Sequence, residues 1–297
     1  MIDLPKGVDL KDLLLFLRNI GLKCSSLLKD FENGTIPLYD HPENLPINFN
    51  ANAPVTAADL AINKFIYDEF LLKYSNIEWE IVTEENIKDI KNKDSKSDWV
   101  WLIDPLDGTK DFIQNTGEYA VHVGLIFKNK PFLGMVVLPS IGEIWFGVDG
   151  YGTWQEKGES SLGNNNFITF SKTEVSKIVC SKNHGNKKLN LILKRIEHKK
   201  IVKMGSIGFK ICSLLRNESD LYISISDRTS PKDWDIAAPH AIMKSAKCNF
   251  TYVSGKEINY LKDNYEQPGC LVASTLQKNE HINFCEKINS IMKELDL

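Results

Sequence analysis

The chain has 297 residues, of which 42% are hydrophobic and 25% are charged, the balance of an ordinary soluble globular protein. Its 18 glycines and 11 prolines are too few for a collagen-like or low-complexity chain. The formal net charge of -3 excludes a globally basic nucleic-acid binder, so we expect no nucleic-acid partner.

The N-terminal half is predicted to contain two helices followed by a run of strands. Apolar residues spaced three and four apart predict an amphipathic helix over residues 8–31, which Gly34 ends. A second helix is predicted to begin at Thr56, after a segment rich in proline and asparagine. Apolar runs separated by turn residues then predict six strands: Ile77–Thr83, Trp99–Ile103, Tyr119–Phe127, Phe132–Leu138, Glu143–Val148 and Gly152–Gln155.

The C-terminal half alternates between strand-like and helix-like segments, which is typical of an α/β arrangement. Its predicted strands are Ile178–Cys180, Ile201–Lys203 and Leu221–Ile225, and its predicted helices are Lys188–His198, Phe209–Leu215 and Asp235–Ser245. We therefore expect an α+β half over residues 1–174, with an antiparallel sheet, and an α/β half over residues 175–297, with a mixed sheet.

The cysteines and the N-terminus indicate the compartment. None of the six cysteines forms a CxxC pair, so we expect reduced thiols rather than a zinc site or a disulfide framework. The longest apolar run near the start, Leu13–Leu17, is too short to span a membrane, and no secretory signal is evident. We expect a cytoplasmic protein without a membrane partner.

The stretch from Trp101 to Phe112 contains the most informative chemistry. An apolar strand leads into Asp104 and Asp107, and we expect Pro105 to end the strand ladder because it has no amide donor. Gly108 then allows a tight turn, and Thr109 opens a short helix. Two carboxylates suit a hard cation such as Mg²⁺, and free amides at a helix start suit phosphate, so the segment predicts a metal-dependent phosphatase. A surface turn with an Asp helix cap is the alternative.

Two more acidic sites lie at the edges of predicted elements. Glu84-Glu85 follows a strand, and Asp235 begins a helix within Trp234–Ala238. Either site taken alone is consistent with a solvent-facing pair or a helix cap. Together with Asp104 and Asp107 they could hold one shared metal cluster.

In combination these segments resemble the inositol monophosphatase superfamily of magnesium-dependent, lithium-sensitive phosphatases. The matching strings, which occur in the family's order, are Pro54-Val-Thr-Ala-Ala-Asp59, Glu84-Glu85, Asp104-Pro-Leu-Asp-Gly-Thr109 and Trp234-Asp-Ile-Ala-Ala238. The resemblance covers roughly residues 8–275. It implies a layered αβαβα sandwich of the sugar-phosphatase type, Mg²⁺ as cofactor and a possible homodimer.

The resemblance also implies roles for individual residues. The implied metal ligands are Glu84, Asp104, the Leu106 carbonyl, Asp107 and Asp235, with Asp104 bridging two ions. Glu84 and Thr109 hold the attacking water, and Asp59 orients Thr109. The implied substrate contacts are the Gly108 and Thr109 amides and Asp235. The number of metal ions bound at rest stays open.

The C-terminal half indicates a branch of the family. Ser181-Lys-Asn-His184 and Gly205–Cys212 resemble two strings of the 3'(2'),5'-bisphosphate nucleotidases. A substrate with two phosphates needs cations for the phosphate that is not cleaved, and His184 and Lys210 are the candidates, because lysine binds phosphate as a point charge. Contacts from Lys182, Arg228 and Lys232 stay open.

The sequence thus predicts a magnesium-dependent phosphomonoesterase that removes the 3'-phosphate of adenosine 3',5'-bisphosphate, with 3'-phosphoadenylyl sulfate as a further candidate substrate. The alternative is an inositol-1-phosphate or related sugar-alcohol monophosphatase. A catalytically weak member with a binding role is disfavoured, because the residues that hold the nucleophilic water are all present.

Overall fold

The computed structural model describes residues 4–34, 57–87, 97–158, 170, 172–183, 186–226, 229–262 and 264–296. Within them the helices are α1 (Leu10–Glu32), α2 (Ala57–Tyr74), α3 (Thr109–Ile113), α4 (Lys187–Leu193), α5 (Ile207–Leu215), α6 (Asp233–Ser245) and α7 (Lys278–Glu294). The strands are β1 (Glu80–Thr83), β2 (Trp99–Asp107), β3 (Ala120–Phe127), β4 (Lys130–Leu138), β5 (Glu143–Val148), β6 (Gly152–Lys157), β7 (Lys177–Ser181), β8 (Lys200–Met204), β9 (Leu221–Ile225), β10 (Asn249–Tyr252) and β11 (Cys270–Ser274).

The strands form two sheets. The first has the order β1-β2-β3-β4-β5-β6 and is antiparallel except for the parallel pair β1 and β2. The second has the order β10-β11-β9-β7-β8 and is mixed, as predicted. The parallel pair brings the carboxyl ends of β1 and β2 to the same edge of the first sheet.

Three hydrophobic cores stack the elements in five layers. The first core packs α1 and α2 on one face of the first sheet, through residues such as Phe16, Phe70 and Trp101. The second fills the space between the two sheets with α5 and α6. The third packs α4 and α7 on the outer face of the second sheet. This is the predicted αβαβα sandwich, and the predicted fold class is confirmed.

Helix α6 lies in a groove made by glycines. Gly124, Gly134 and Gly147 are cross-strand partners on β3, β4 and β5. A Cβ atom on Gly134 would lie 2.3 Å from the Ala238 carbonyl oxygen, and one on Gly147 would lie 2.5 Å from the Cα atom of Ile242. The backbone of α6 can approach the sheet this closely only because no side chain stands between them, so the glycines set the position of the helix.

The element boundaries differ from the prediction in places. Helix α4 ends at Leu193 rather than at His198, and β1 begins at Glu80 rather than at Ile77. The predicted helix start at Thr56 lies outside the described residues, and α2 is described from Ala57. All six cysteines are free thiols, as predicted. The division into halves at residue 174 stays a prediction.

Candidate active site and metal centre

A β-bulge brings the two aspartates of β2 to the same face of the first sheet. Asp104 pairs with His122 and Asp107 pairs with Ala120, so three steps along β2 match two along β3. Residues three apart in a regular strand point to opposite faces, and one extra residue removes that difference. Leu106, between them, packs into the first core on the opposite side. Both carboxylates therefore face the space between the sheets.

The prediction that Pro105 ends the strand is wrong. Strand β2 continues to Asp107, because Pro105 lies within the bulge, where the ladder does not need its missing amide as a donor. The Leu106 amide turns inward and donates a 3.0 Å hydrogen bond to Asp104 Oδ1. The Asp-Pro-Leu-Asp string is thus a bulge that aims two carboxylates, rather than a strand end.

Gly108 and Thr109 make the turn from β2 into α3. Gly108 has φ of 92°, which a residue with a side chain rarely adopts, and α3 begins at Thr109. The Thr109 hydroxyl lies 3.1 Å from Asp59 Oδ1 and 3.2 Å from the Leu106 carbonyl oxygen. The contact expected between Thr109 and Asp59 is therefore present, while the catalytic role of the pair stays a prediction.

Glu84 directly follows β1 and lies next to the β2 carboxylates. Its amide donates to the Ile103 carbonyl at 3.1 Å, which continues the parallel pairing of β1 with β2. A reciprocal pair of hydrogen bonds holds the turn: the Thr83 amide donates to Asn86 Oδ1, and the Asn86 amide donates to Thr83 Oγ1. Glu84 is exposed, and its backbone is held in position by these hydrogen bonds.

Asp235 enters the cluster from the first turn of α6. Its carboxylate accepts a 2.8 Å hydrogen bond from the Lys232 amide, so it also caps the helix. Asp235 therefore caps the helix, as in the alternative interpretation, and is at the same time a candidate metal ligand. The glycine groove beneath α6 sets how far its first turn reaches towards Asp104 and Asp107.

The four acids lie close enough to repel one another when they are charged. Burial, followed by repulsion from Glu84, Asp107 and Asp235, raises the pKa of Asp104 well above its usual range. Burial and then the neighbouring Asp107 raise the pKa of Asp235 to about 7. Although Glu84 reaches solvent, partial loss of hydration and then repulsion from Asp235 raise the pKa of its carboxyl as well. Because burial and mutual repulsion disfavour the charged carboxylates, such a cluster is stabilised by a bound proton or cation.

The donor set fits the divalent cations that the resemblance implies. Asp104 is 2% exposed, and a buried carboxylate surrounded by other carboxylates is stabilised by a cation. Asp107 Oδ2 accepts hydrogen bonds from the Ile207 and Gly208 amides, the latter at 3.2 Å. These amides hold the carboxylate at the start of α5 and leave Oδ1 for a cation.

Sequence reasoning missed His122. It is fully buried on β3, and its Nε2 lies 3.4 Å from Asp107 Oδ2. One ligand atom each from Asp104, Asp107 and His122 lie within 4.8 Å of one another. Burial lowers the pKa of His122 below its usual value. The available signal was one polar residue in the otherwise apolar strand Ala120–Phe127.

The lysines considered for a second phosphate, whether proposed or left open, have other partners. Lys182 Nζ lies 3.0 Å from Asp111 and 3.2 Å from Glu118. Lys210 is 3% exposed and donates to the Gly205 carbonyl oxygen, while burial lowers its pKa. Lys232 pairs with Glu266 at 2.7 Å. His184 and Arg228 lie outside the described residues.

The profile of the inositol monophosphatase family matches residues 37–293. The 3'(2'),5'-bisphosphate nucleotidase CysQ of Escherichia coli K12 is 29% identical over 252 residues, which is 83% of this chain and 96% of that protein. Among solved structures, CysQ from Bacteroides thetaiotaomicron has a TM-score of 0.69 and 20% identity, covering 90% of this chain and 99% of that chain. Inositol monophosphatase from Anabaena sp. PCC 7120 has a TM-score of 0.71 and 18% identity, covering 95% and 97%.

The family match, together with an acidic centre that could hold a metal ion, defines a metal-dependent phosphatase. The chain belongs to the inositol monophosphatase family, and the resemblance predicted from its motifs is confirmed. Among the described residues, the helices are too short or too polar for any of them to cross a membrane.

Proposed function

We propose that this protein is a magnesium-dependent 3'(2'),5'-bisphosphate nucleotidase that hydrolyses the 3'-phosphate of adenosine 3',5'-bisphosphate. The similarity to CysQ nucleotidases along most of both chains is the observation that carries the proposal. Such an activity clears a by-product of sulfate activation, and 3'-phosphoadenylyl sulfate is a second possible substrate. We also propose that the enzyme works in the cytoplasm and is inhibited by lithium, and a homodimer remains a hypothesis.

The residues present support hydrolysis by an activated water. Glu84, Asp104, Asp107, Asp235 and the Leu106 carbonyl are the proposed ligands, and bound divalent cations would acidify water and neutralise phosphoryl charge. The protein itself must also provide a group that orients the water and hydrogen-bond donors that hold the phosphate.

Thr109 suits the first task and the start of α3 suits the second. When the Thr109 hydroxyl donates its proton to Asp59, its lone pairs face away and can accept a hydrogen bond from water. We propose that Glu84, which directly follows β1, accepts the proton that the water loses. The amides of Gly108 and Thr109 belong to a helix start, where backbone donors lack helical partners, so they can bind phosphate oxygens.

The preference for a bisphosphate depends on the C-terminal half. Lys210 lies on α5, the helix whose first amides hold Asp107. Its ammonium group donates to the carbonyl oxygen of Gly205, five residues earlier in the chain. A phosphate that displaced this carbonyl would pair with the buried ammonium. We propose His184 and Lys210 as the residues that bind the second phosphate.

One observation favours the alternative, an inositol or other sugar-alcohol monophosphatase. Lys182 is neutralised by Asp111 and Glu118, and the Lys210 ammonium is bound to a backbone carbonyl. A monophosphatase does not need either cation to be available. The two functions therefore differ in whether a second phosphate improves the substrate.

A phosphate-release panel tests this difference. Purified protein in Mg²⁺, with and without Li⁺, is given adenosine 3',5'-bisphosphate, adenosine 3'-monophosphate, inositol 1-phosphate and fructose 1,6-bisphosphate. Phosphorus NMR identifies which phosphate is lost. Preference for the bisphosphate with adenosine 5'-monophosphate as product supports the proposal. A kcat/KM that is higher for inositol 1-phosphate supports the alternative, and no release from any substrate contradicts both.

A further inference from the structure

Glu118, two residues before β3, lies between the two places that the proposed function assigns to phosphates. A Cβ atom on Gly108, whose amide is proposed to bind the cleaved phosphate, would lie 3.1 Å from the Glu118 carbonyl oxygen. A Cβ atom on Gly205, whose carbonyl oxygen accepts from the Lys210 ammonium, would lie 2.5 Å from the same oxygen. Both turns can approach Glu118 this closely because neither glycine has a side chain. One residue therefore separates the two phosphate sites.

Glu118 holds the turn at Gly205 and Ser206, which joins β8 to α5, with both its backbone and its side chain. Its carbonyl oxygen accepts a 2.8 Å hydrogen bond from the Ser206 amide, and its carboxylate accepts a 2.9 Å hydrogen bond from the Gly205 amide. The Ser206 amide and the Gly205 carbonyl belong to one planar peptide group, so fixing the first also orients the second. Because the Lys210 ammonium donates to that carbonyl, its position depends on Glu118.

A second partner holds the Glu118 carboxylate in place. Lys182, directly after β7, lies 3.2 Å from Glu118 Oε2 and 3.0 Å from Asp111 Oδ1. Asp111 is fully buried in α3, and it also accepts hydrogen bonds from the side chains of Thr116 and Asn183. Charge-assisted hydrogen bonds of this kind are stronger than neutral ones. The carboxylate that holds the Gly205 amide is thus tied to the same short helix whose first amides are proposed to bind phosphate.

Neutralisation of Lys182 is a simpler role for Glu118, and it makes the opposite prediction. If Glu118 only cancelled that charge, its removal would release Lys182 from one of two carboxylates and strengthen the binding of an anion. A carboxylate beside a site for an anion also repels the anion, so its presence there requires a compensating task. The hydrogen bond to the Gly205 amide supplies one, because it fixes the turn that orients Lys210.

We propose that Glu118 is a positioning residue for the second phosphate, because it holds the Gly205 turn so that the Lys210 ammonium lies at a fixed distance from the start of α3. The proposal rests on the proposed function, since it requires Lys210 to bind that phosphate. A substrate with two phosphates must meet both sites at once, and a fixed separation lowers the cost of ordering them on binding. A monophosphate at the metal centre meets one site and gains nothing from it.

Binding of adenosine 5'-monophosphate tests the proposal without turnover, because this product carries only the second phosphate. We expect calorimetric titration in Mg²⁺ to show about tenfold weaker binding by Glu118→Ala than by the wild type, as for the loss of one hydrogen bond to a charged group. Glu118→Gln keeps an oxygen that accepts from the Gly205 amide and should stay within about twofold of the wild type. Inorganic phosphate, which probes the metal centre, should bind all three proteins equally.

A double variant separates positioning from general damage to the fold. Lys210→Met should weaken the binding of adenosine 5'-monophosphate, and adding Glu118→Ala should cause little further loss, because Glu118 acts through Lys210. If Glu118→Ala does not fold, Glu118→Asp takes its place, since the shorter side chain keeps the charge but loses the reach to the Gly205 amide. Thermal melting identifies the variants that fold.

Two results would overturn the proposal. One is Glu118→Ala binding adenosine 5'-monophosphate as tightly as the wild type or more tightly, which would leave neutralisation of Lys182 as its role. The other is an additive loss in the double variant, or an equal loss for inorganic phosphate, which would indicate damage to the fold or the metal centre. A wild-type affinity for adenosine 5'-monophosphate that is absent or unchanged in Lys210→Met would instead contradict the second phosphate site of the proposed function, and this proposal with it. The two failures can therefore be told apart.

Discussion

At the scale of single residues, Asp104 is 2% exposed and faces three other acids, which together destabilise its charged form. We expect Asp104→Asn to lower turnover by about a thousandfold or more, since charge stabilisation at the reacting phosphate is lost. The fold should survive, and the metal-free variant should melt at an equal or higher temperature because repulsion is relieved. Phosphate release and thermal melting in EDTA measure the two effects.

The exposed acid Asp98, which pairs with Lys128 at 3.6 Å, supplies the control. Asp98→Asn should change neither turnover nor the metal-free melting temperature, since exposed ion pairs contribute little. Wild-type turnover by Asp104→Asn in saturating Mg²⁺ would contradict the proposed bridging role.

Thr109 is expected to act on water rather than on substrate. Loss of its hydroxyl in Thr109→Ala removes the 3.1 Å contact with Asp59 and the group that orients the water. We expect kcat to fall about a hundredfold while KM changes little, because the lost interaction belongs to the chemical step. Thr109→Ser keeps the hydroxyl and should retain most of the activity. Steady-state kinetics that showed only a raised KM would move Thr109 from catalysis to binding.

At the scale of elements, the position of α6 depends on the glycine groove. A Cβ atom in Gly134→Ala would lie 2.3 Å from the Ala238 carbonyl oxygen, so the helix must move away from the sheet. We expect a loss of about 1–3 kcal/mol in the free energy of unfolding, as for other overpacked cores. Because α6 carries Asp235, the affinity for Mg²⁺ should fall as well. Urea denaturation and calorimetric titration measure these losses.

Gly21→Ala in α1 is the matched control. Its Cβ atom would meet side-chain atoms of Ile144, Met135 and Val137 at 3.2 Å, and the ends of such side chains can shift. Alanine also favours a helix interior over glycine by about 1 kcal/mol. We expect stability close to that of the wild type and unchanged Mg²⁺ affinity. Equal losses in both variants would show that the groove has no special role in placing Asp235.

Helix α5 joins the metal centre to the proposed second phosphate site, since its first amides hold Asp107 and its fourth residue is Lys210. We expect Lys210→Met to lower kcat/KM for adenosine 3',5'-bisphosphate about ten- to hundredfold. The basis is the loss of one charged hydrogen bond, about 1.5–3 kcal/mol. Adenosine 3'-monophosphate, which has no second phosphate, should be hydrolysed as before.

Lys182→Met provides the comparison, because Lys182 is already paired with Asp111 and Glu118. It should affect the bisphosphate less than Lys210→Met does. Equal losses on both substrates in Lys210→Met would indicate a role in the fold or the metal site. No loss on either would make the monophosphatase alternative the stronger hypothesis.

At the scale of the whole molecule, local sequence patterns predicted the layers but not every element. Strand β9 was predicted with its observed bounds, because Leu221–Ile225 is a short apolar run with clear ends. Helix α7 and strands β10 and β11 were not predicted. In α7 only His281, Cys285, Ile288 and Ile291 are buried, and one of the four is polar, so the apolar stripe is narrow.

The site residues that lie close together in the sequence could be predicted, whereas those brought together by strand pairing could not. Asp104, Asp107 and Thr109 lie within six residues, so their proximity could be predicted from the sequence. The bulge at Pro105 and the placement of His122 depend on the register of β2 against β3, which no local pattern specifies. Residues contributed through sheet register are therefore the part of a site that sequence reasoning misses.

The acidic cluster couples stability to pH and metal. A carboxyl whose pKa is raised on folding favours the folded state at low pH, and this contribution is lost as pH rises through the folded pKa. For Asp235 the pKa rises from the ordinary value of 3.8 to about 7, and the pKa values of Asp104 and Glu84 are raised as well. In EDTA we therefore expect the urea midpoint to fall between pH 6.5 and 8.

Mg²⁺ should reverse that loss, since it binds the charged carboxylates and replaces their protons. The stabilisation by saturating Mg²⁺ should grow from pH 6.5 to pH 8. Burial lowers the pKa of His281 to about 4 and that of His240 to about 3, so their destabilisation on protonation begins only below the ordinary value of 6.5 and stays outside this window. In Asp104→Asn the pH dependence should flatten, because one member of the repelling set is gone. An Mg²⁺ effect of equal size at every pH in the wild-type protein would show that the ion does not bind this cluster.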